Sequence, residues 1–313
     1  MMTVLVWGVP SESPVRMITE ALRANGADCV SVPPEADGVE VSLAVDPAGR
    51  LSGGLRIQGR AVPWQQLSGV YVRPVEPELS PRLRQLPGEA AQVRHARAVH
   101  DALIAFTEVA ADGPYRVANR LSAMGSNMSK PFQAQLIARH GFAVPETLVT
   151  DSAEEALDFA DRHDGVVYKS TSGIRSIVTV FDPAADRSRL NRLRWCPVQF
   201  QERIDGPDVR VHVIGGEVYP AIVGSTAVDY RYARAQVGQD ATLQRWDLPD
   251  EWAERCVALA ADLDLPFAGI DLKLCPDGRV VCFEVNPSPG FPWYETAAGL
   301  PISDAVARWL VAA

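Results

Sequence analysis

Cysteine is scarce and scattered in this chain: Cys29, Cys196, Cys256, Cys275 and Cys282 stand apart among 313 residues, without CxxC spacing. The five histidines form no H-x3-H pair. These absences exclude a zinc site of ordinary spacing and predict small core or strand thiols in a reduced, cytoplasmic protein. Positive charge is also in deficit. Thirty Lys and Arg against 39 Asp and Glu leave a net charge of -9 and a pI near 5.1. Such a field repels phosphate backbones and anionic lipid, so neither nucleic acid nor membrane is an expected partner. The apolar run at residues 3–7 has no basic residue before it and is too short for a signal-peptide core or a membrane span. It reads instead as a first buried strand. A GxGxxG turn is missing as well, because the first turn is Gly8-Val9-Pro10-Ser11, so a dinucleotide site there has little support. Internal repeats and low-complexity tracts are absent.

What remains is a foldable α/β chain. With 47% hydrophobic and 22% charged residues it is too apolar for disorder, and its length predicts two or three lobes. Residues 4–9, 14–25 and 29–32 read as strand, helix and strand, with Pro14 early in the helix and Gly26 past its end. Short strands follow over residues 40–73, the last at 69–73, and apolar spacing predicts a helix over 89–111, stopped by Asp112-Gly113-Pro114. A first boundary is expected near residue 115. The middle segment reads as a helix over 129–140, a strand at 147–149, a helix capped by Ser152 with Glu155 reaching back, and strands at 166–169 and 177–181. Strands at 198–202, 208–214 and 217–223 come next, the last two joined by Gly215-Gly216 as a hairpin turn. A helix at 249–262, another hairpin and an amphipathic helix at 302–311 close the chain. The expected division is 1–115, 116–197 and 198–313.

The final hairpin, Ala268 to Leu274 and Val280 to Asn286, carries the most chemistry. If Cys275 pairs with Val280, Asp271 lies opposite Glu284 on one face, with Asn286 two residues on. Opposed carboxylates destabilise a ladder unless a cation sits between them, and hard oxygen donors suit Mg2+. The alternative is a solvated face, or another register that separates the two. In Asp208-Val209-Arg210-Val211-His212-Val213, alternation puts Asp208, Arg210 and His212 on one face, which reads either as functional or as half-exposed surface, with His212 structural. Lys169 ends an apolar strand and precedes Ser170-Thr171-Ser172-Gly173, whose amides and hydroxyls suit phosphate, although taken alone a snorkelling strand-end lysine is the commoner explanation. Lys130 starts a helix.

Taken in order, Ser129-Lys130-Pro131-Phe132-Gln133, Gly141 through Thr147, Tyr168-Lys169-Ser170, Gln201-Glu202 through Asp208-Val209-Arg210, Gly269-Ile270-Asp271 and Glu284-Val285-Asn286-Pro287-Ser288-Pro289-Gly290 resemble the ATP-grasp superfamily, and within it the RimK-type carboxylate-amine ligases. The likeness runs from about Asn119 to the C-terminus. It implies the ATP-grasp fold, α/β lobes clamping ATP behind a leading α/β domain. Lys130, Lys169 and Ser170 would then face phosphate, the Gln201-Glu202 stretch adenine, and Asp208 the ribose hydroxyls. Arg210 would hold the γ-phosphate and then an acyl phosphate, while Asp271, Glu284 and Asn286 would hold Mg2+, two ions by the resemblance, with Mn2+ as a substitute.

The segment Phe291-Pro292-Trp293-Tyr294-Glu295 also resembles the tail after the metal ligands in microviridin-type ATP-grasp peptide cyclases, unless Trp293 and Tyr294 simply pack beneath the last helix. The loop after Lys169 departs from many relatives in having one glycine, with Arg175 inside it. Arg231 and Arg175 are candidates for gripping carboxylate or acyl phosphate, Arg73 a third, and all three also read as surface arginines. The expected activity is ATP-dependent joining of a carboxylate to an amine through an acyl phosphate. Alternatives are cyclisation of a ribosomal precursor peptide and nucleotide binding without catalysis. A homodimer is compatible with the sequence.

Overall fold

The computed structural model describes residues 3–171 and 177–312. The chain opens with β1 (Thr3–Gly8), buried along its whole length, as a strand flanked on both sides must be. Helix α1 (Ser13–Ala24) buries Val15, Ile18 and Leu22, one stripe at helical spacing, and leads to β2 (Asp28–Val32). Strands β3 (Val39–Val45), β4 (Leu51–Ile57) and β5 (Arg60–Pro63) form a separate antiparallel sheet in the order β3-β4-β5. Strand β6 (Leu67–Arg73), helix α2 (Ala91–Ala111) and strand β7 (Arg116–Ala118) follow. The parallel sheet runs β2-β1-β6-β7, so β7 belongs to the first lobe although it lies past residue 115.

Next come α3 (Lys130–Arg139), β8 (Thr147–Thr150), α4 (Ala153–Asp161), β9 (Val166–Ser170), β10 (Thr179–Phe181), α5 (Arg187–Leu190) and β11 (Val198–Glu202). The second sheet runs β10-β9-β11-β8, antiparallel, over a small core of Phe159, Phe181 and Phe200. A division at 197/198 therefore separates β11 from its own sheet. Half of the expected capping box forms at α4. Ser152 Oγ accepts the Glu155 amide at 3.3 Å, but the Glu155 carboxylate turns to the Thr150 hydroxyl, which itself accepts the Ser152 amide at 2.9 Å.

The third sheet, β14-β13-β12-β15-β16, is antiparallel throughout. It is built from β12 (Asp208–Ile214), β13 (Glu217–Gly224), β14 (Thr242–Arg245), β15 (Phe267–Leu274) and β16 (Val280–Asn286), with α6 (Ala233–Val237) and α7 (Asp250–Asp262) between strands. One face buries Val209, Val211, Val213, Ile270 and Leu272 against Cys256 and Leu259 of α7. Helices α8 (Pro292–Ala298) and α9 (Ile302–Val311) return the chain to the first lobe. There Val4, Val6, Ile18 and Leu22 share one core with Phe291, Ile302, Val306 and Leu310. Cys256, Cys275 and Cys282 are buried, Cys29 is half-buried, and Cys196 is exposed. Among the described residues no helix is long and apolar enough to cross a membrane.

Candidate active site

Three rows of side chains cross the open face of the third sheet. In one, Asp208 of β12 pairs with Lys273 of β15; in the next, Arg210 pairs with Asp271, which pairs in turn with Glu284 of β16; in the last, His212 pairs with Gly269 and Gly269 with Asn286. The first two rows carry cross-strand ion pairs, Lys273 to Asp208 and Arg210 to Asp271, each at 2.7 Å. The face is not half-exposed surface: Arg210 is 5% accessible and His212 is fully buried. The Tyr294 ring lies 5.8 Å from the Arg210 guanidinium and 4.9 Å from the His212 ring, covering both. Burial and the neighbouring Arg210 hold His212 well below its ordinary pKa, so it is a neutral, structural imidazole.

Asp271 and Glu284 do face each other, but the hairpin reaches that register by another route. Leu274, not Cys275, pairs with Val280. Residues 275–279 form the turn, closed by Gly278 N–H to Cys275 O at 3.0 Å, with Gly278 at φ +86°. Cys275 N–H also donates to Arg279 O at 2.9 Å, so the loop proper is Pro276-Asp277-Gly278, ending on a left-handed glycine and one residue shorter than a four-residue loop. A bulge at Phe283, opposite the Asp271/Leu272 step, supplies the missing residue and restores the pairing of Asp271 with Glu284.

The edge of β16 is held by a side chain from α3. The buried Gln133 amide donates to Val285 O and its carbonyl accepts Val285 N–H, both at 2.9 Å, copying one residue of a neighbouring strand. Lys130, one turn earlier, pairs with Glu284 and donates to Asn127 Oδ1 at 2.9 Å. Burial works against the Glu284 charge, yet Lys130 keeps its carboxyl below the usual range. Asp271 is pushed up, by burial first and then by Glu284, against the pull of Arg210. Across the cleft, burial lowers the pKa of the Lys169 ammonium despite the attraction of Glu284.

These groups enclose a cavity of about 280 Å³ lined by Lys130, Lys169, Gln201, Glu202, Asp208, Arg231, Asp271 and Glu284. Val167, Val178, Ile204 and Phe283 supply apolar wall. Gln201 donates to Thr147 Oγ1 at 2.9 Å, and burial raises the Asp208 pKa against the opposing effect of Lys273. A second hollow of about 720 Å³ adjoins the first, sharing Tyr230, Arg231, Asp271 and Glu284 and adding Arg210, Asn286, Trp293 and Tyr294. The expected residues thus fall around two connected hollows rather than one.

Three expectations turn out differently. Ser170 is exposed at the end of β9 and lines neither hollow. Arg73 donates to Ser288 Oγ at 2.8 Å and to Glu12 at 3.2 Å, a bridge between lobes. Trp293 and Tyr294 do not pack alike. Trp293 stacks on Tyr230 with ring centroids 6.2 Å apart and faces the larger hollow, whereas Tyr294 is buried and shares a hydrogen bond with the Tyr230 hydroxyl at 2.8 Å. Arg231 forks onto Asp229 with two contacts of 2.8 Å. Arg175, with Ser172 and Gly173, lies outside the described residues.

Lys273 and Tyr230 were not expected, and Gln133 entered only within the Ser129-to-Gln133 phrase, with no role of its own. Lys273 was legible as the residue two positions from Asp271 on the same face, had β12 been paired with β15.

The oxygen donors fit a hard divalent cation. Asp271 and Glu284 are opposed, and Asn286, whose Oδ1 accepts the Ser288 amide at 3.0 Å, lines the larger hollow with them. Among the described residues no three His, Cys, Asp or Glu cluster for a metal.

The RimK-like ATP-grasp domain family model matches residues 128–310. A probable alpha-L-glutamate ligase of Syntrophotalea carbinolica is 28% identical over 202 residues, 61% of this chain and 66% of the relative's length. The alignment thus spans less than two thirds of that relative. Among solved structures, the ATP-grasp ligase PsnB, complexed with a phosphomimetic variant of its minimal precursor, Mg and ADP, is 25% identical with a TM-score of 0.78, covering 98% of this chain and 97% of that one. The Chryseobacterium gregarium RiPP-associated ATP-grasp ligase, in complex with ADP and a leader and core peptide, has a TM-score of 0.80 at 20% identity, covering 99% of this chain and 96% of that one. The fold is the ATP-grasp fold, as the sequence resemblance implied.

Proposed function

We propose that this chain, which belongs to the RimK-like ATP-grasp family, is an ATP-dependent carboxylate-amine ligase working through an acyl phosphate. The observation that carries the reading is the smaller hollow, where Lys130 and Lys169 line the same space as Asp271, Glu284 and several apolar side chains, while Arg210 lines the adjoining hollow. Adenine enters beside Gln201 and Glu202, with Ile204 and Phe283 against its faces. Asp208, fixed by Lys273, receives the ribose hydroxyls, and Lys130 and Lys169 neutralise phosphate oxygens. Asp271, Glu284 and Asn286 hold Mg2+, which when bound screens the phosphate charge. On binding, Lys130 exchanges Glu284 for phosphate, and Arg210, held by Asp271 and Tyr294, offers its charge to the transferred group.

A carboxylate oxygen attacks the γ-phosphorus, the bond to the bridging oxygen breaks, and ADP leaves. An amine then attacks the acyl carbon, the bond to the phosphate oxygen breaks, phosphate departs, and the nitrogen loses a proton to solvent. The chain contributes alignment and fixed positive charge, which is what phosphoryl transfer requires. We further propose three lobes, with the breaks moved past β7 and β11, a cytoplasmic location, two Mg2+ replaceable by Mn2+, and no nucleic-acid partner. A homodimer is also open to test.

The second reading is modification of a ribosomal precursor peptide. It is favoured by the 720 Å³ hollow beside the nucleotide site and by the whole-chain likeness to PsnB, since the curated ligase matches 61% of the chain. Incubation with ATP, Mg2+ and pooled amino acids or short peptides, followed by phosphate release and mass spectrometry, tests both. A condensed small product supports the first reading and loss of water from a longer peptide the second. Nucleotide binding with no turnover on any acceptor would sink both.

A further inference from the structure

We infer that Gly269 is a positioning residue for Arg210: its missing side chain is the slot in which the guanidinium lies. The inference rests on the proposed role of Arg210 in turnover. Glycine in a strand interior weakens the strand, so its presence asks for a reason, and the two usual reasons separate here. Conformation is not the reason. Gly269 sits inside β15 in ladder register with His212 on one side and Asn286 on the other, and it is not among the glycines with positive φ. Space is the reason. A Cβ at this position would overlap Nη2 of Arg210, lie 2.5 Å from its Cζ and stand 2.7 Å from Cβ of Pro289.

The arginine cannot move aside cheaply. Its guanidinium is bound by Asp271 at 2.7 Å, covered by Tyr294 at 5.8 Å and 5% accessible as a residue. Pro289 closes the remaining side, on a loop tied down by Arg73 through Ser288. Arg210 starts one row away, opposite Asp271, and reaches diagonally over Gly269. A methyl group there pushes the planar fork toward the larger hollow, out of line with a group transferred from the smaller one. The three atoms nearest the added Cβ belong to Arg210 and Pro289, not to Lys130, Lys169 or Asp208, the groups proposed to hold nucleotide.

The test is Gly269→Ala, Arg210→Ala and the double variant, each measured for steady-state phosphate release and thermal midpoint. Gly269→Ala is expected to lower kcat about 100-fold while KM for ATP stays within about threefold, the signature of a displaced transition-state contact. Its midpoint should fall clearly less in the Arg210→Ala background than in the parent, because there the methyl meets only Pro289 Cβ. Equal loss of midpoint in both backgrounds overturns the inference, as does unchanged kcat in Gly269→Ala when Arg210→Ala is inactive. Full turnover in Arg210→Ala sinks the proposed function instead, and the midpoints still decide the steric claim. A Gly269→Ala protein that does not fold is decided by the double variant: recovery of the fold supports the inference, and continued misfolding overturns it.

Discussion

Gln133→Leu should loosen the metal-side strand without touching any ligand. Leucine nearly matches glutamine in volume, so the buried site is refilled, but Val285 N–H and C=O both lose partners held at 2.9 Å. Val285 is fully buried, and β16 is the edge of its sheet, so no neighbouring strand takes over. Each orphaned group costs about 1–2 kcal/mol, giving about 2–4 kcal/mol for the substitution. Urea denaturation should report that loss, and exchange of the Val285 amide should quicken about 30- to 700-fold at tenfold per 1.4 kcal/mol. Because Glu284 and Asn286 flank Val285, the Mg2+ concentration for half-maximal phosphate release should rise as well. A stability change under about 0.5 kcal/mol with unaltered exchange would refute the claim that this amide acts as a strand.

Arg210→Ala and Glu284→Ala should each abolish phosphate release while circular dichroism shows a folded chain, and Arg210→Lys should lose at least about 100-fold because an ammonium lacks the planar fork. Lys169→Met should raise apo stability by about 1 kcal/mol by removing a buried charge, yet weaken nucleotide binding, a pairing of opposite signs that calorimetry can check. Burial depresses the Lys169 pKa, so between that value and 10.5 the unfolded chain binds more protons and apo stability rises with pH. Nucleotide affinity should fall over the same window, at lower pH than for an exposed lysine, as binding titrations would show. Trp293→Ala should raise KM for the acceptor about tenfold with ATP unchanged, since the indole faces the larger hollow; an effect on ATP instead would place the acceptor elsewhere.

Much of the scaffold was legible because local rules sufficed. Helix α9 and strands β11 and β12 have the expected bounds, and the Gly215-Gly216 turn joins Ile214 to Glu217 as read. The opposition of Asp271 and Glu284 was legible for an incomplete reason. Pairing Cys275 with Val280 gives the right partner for Asp271, but the chain uses a shorter turn and a bulge that cancel. Alternation alone sees only the parity, which is the same by either route. Burial of Arg210 and His212 was not legible from β12, because the cover is Tyr294, more than 80 residues away by sequence number. Nor does spacing separate a Ser170 that lines a cleft from one that ends a strand in solvent, since both follow the same apolar run.

The first lobe lies outside both hollows, yet it fixes one wall of the site. Asn119, just past β7, is buried and donates to Phe267 O and Pro287 O at 2.6 Å while accepting Phe267 N–H at 3.0 Å. It thereby joins the start of β15 to the residue after Asn286. Arg73, at the end of β6, holds Ser288. The segment from Pro287 to Pro289 is thus tied from the first lobe at two points, and that segment holds the Asn286 side chain and closes the Arg210 slot. The shared core of Val4, Val6 and Ile18 with Phe291, Ile302 and Leu310 makes these ties rigid, because moving the loop would require breaking close packing. In the opposite direction, β8 to β11 bring Lys169, Gln201 and Glu202 from a sheet with its own small core, joined to the third lobe where Val178 N–H donates to Asp229 at 3.3 Å and Val178 O accepts the Gln236 amide at 3.2 Å. The two sides of the cleft therefore differ in kind: a floor built by two lobes together, and a wall that carries Lys169, Gln201 and Glu202 on a sheet with its own core.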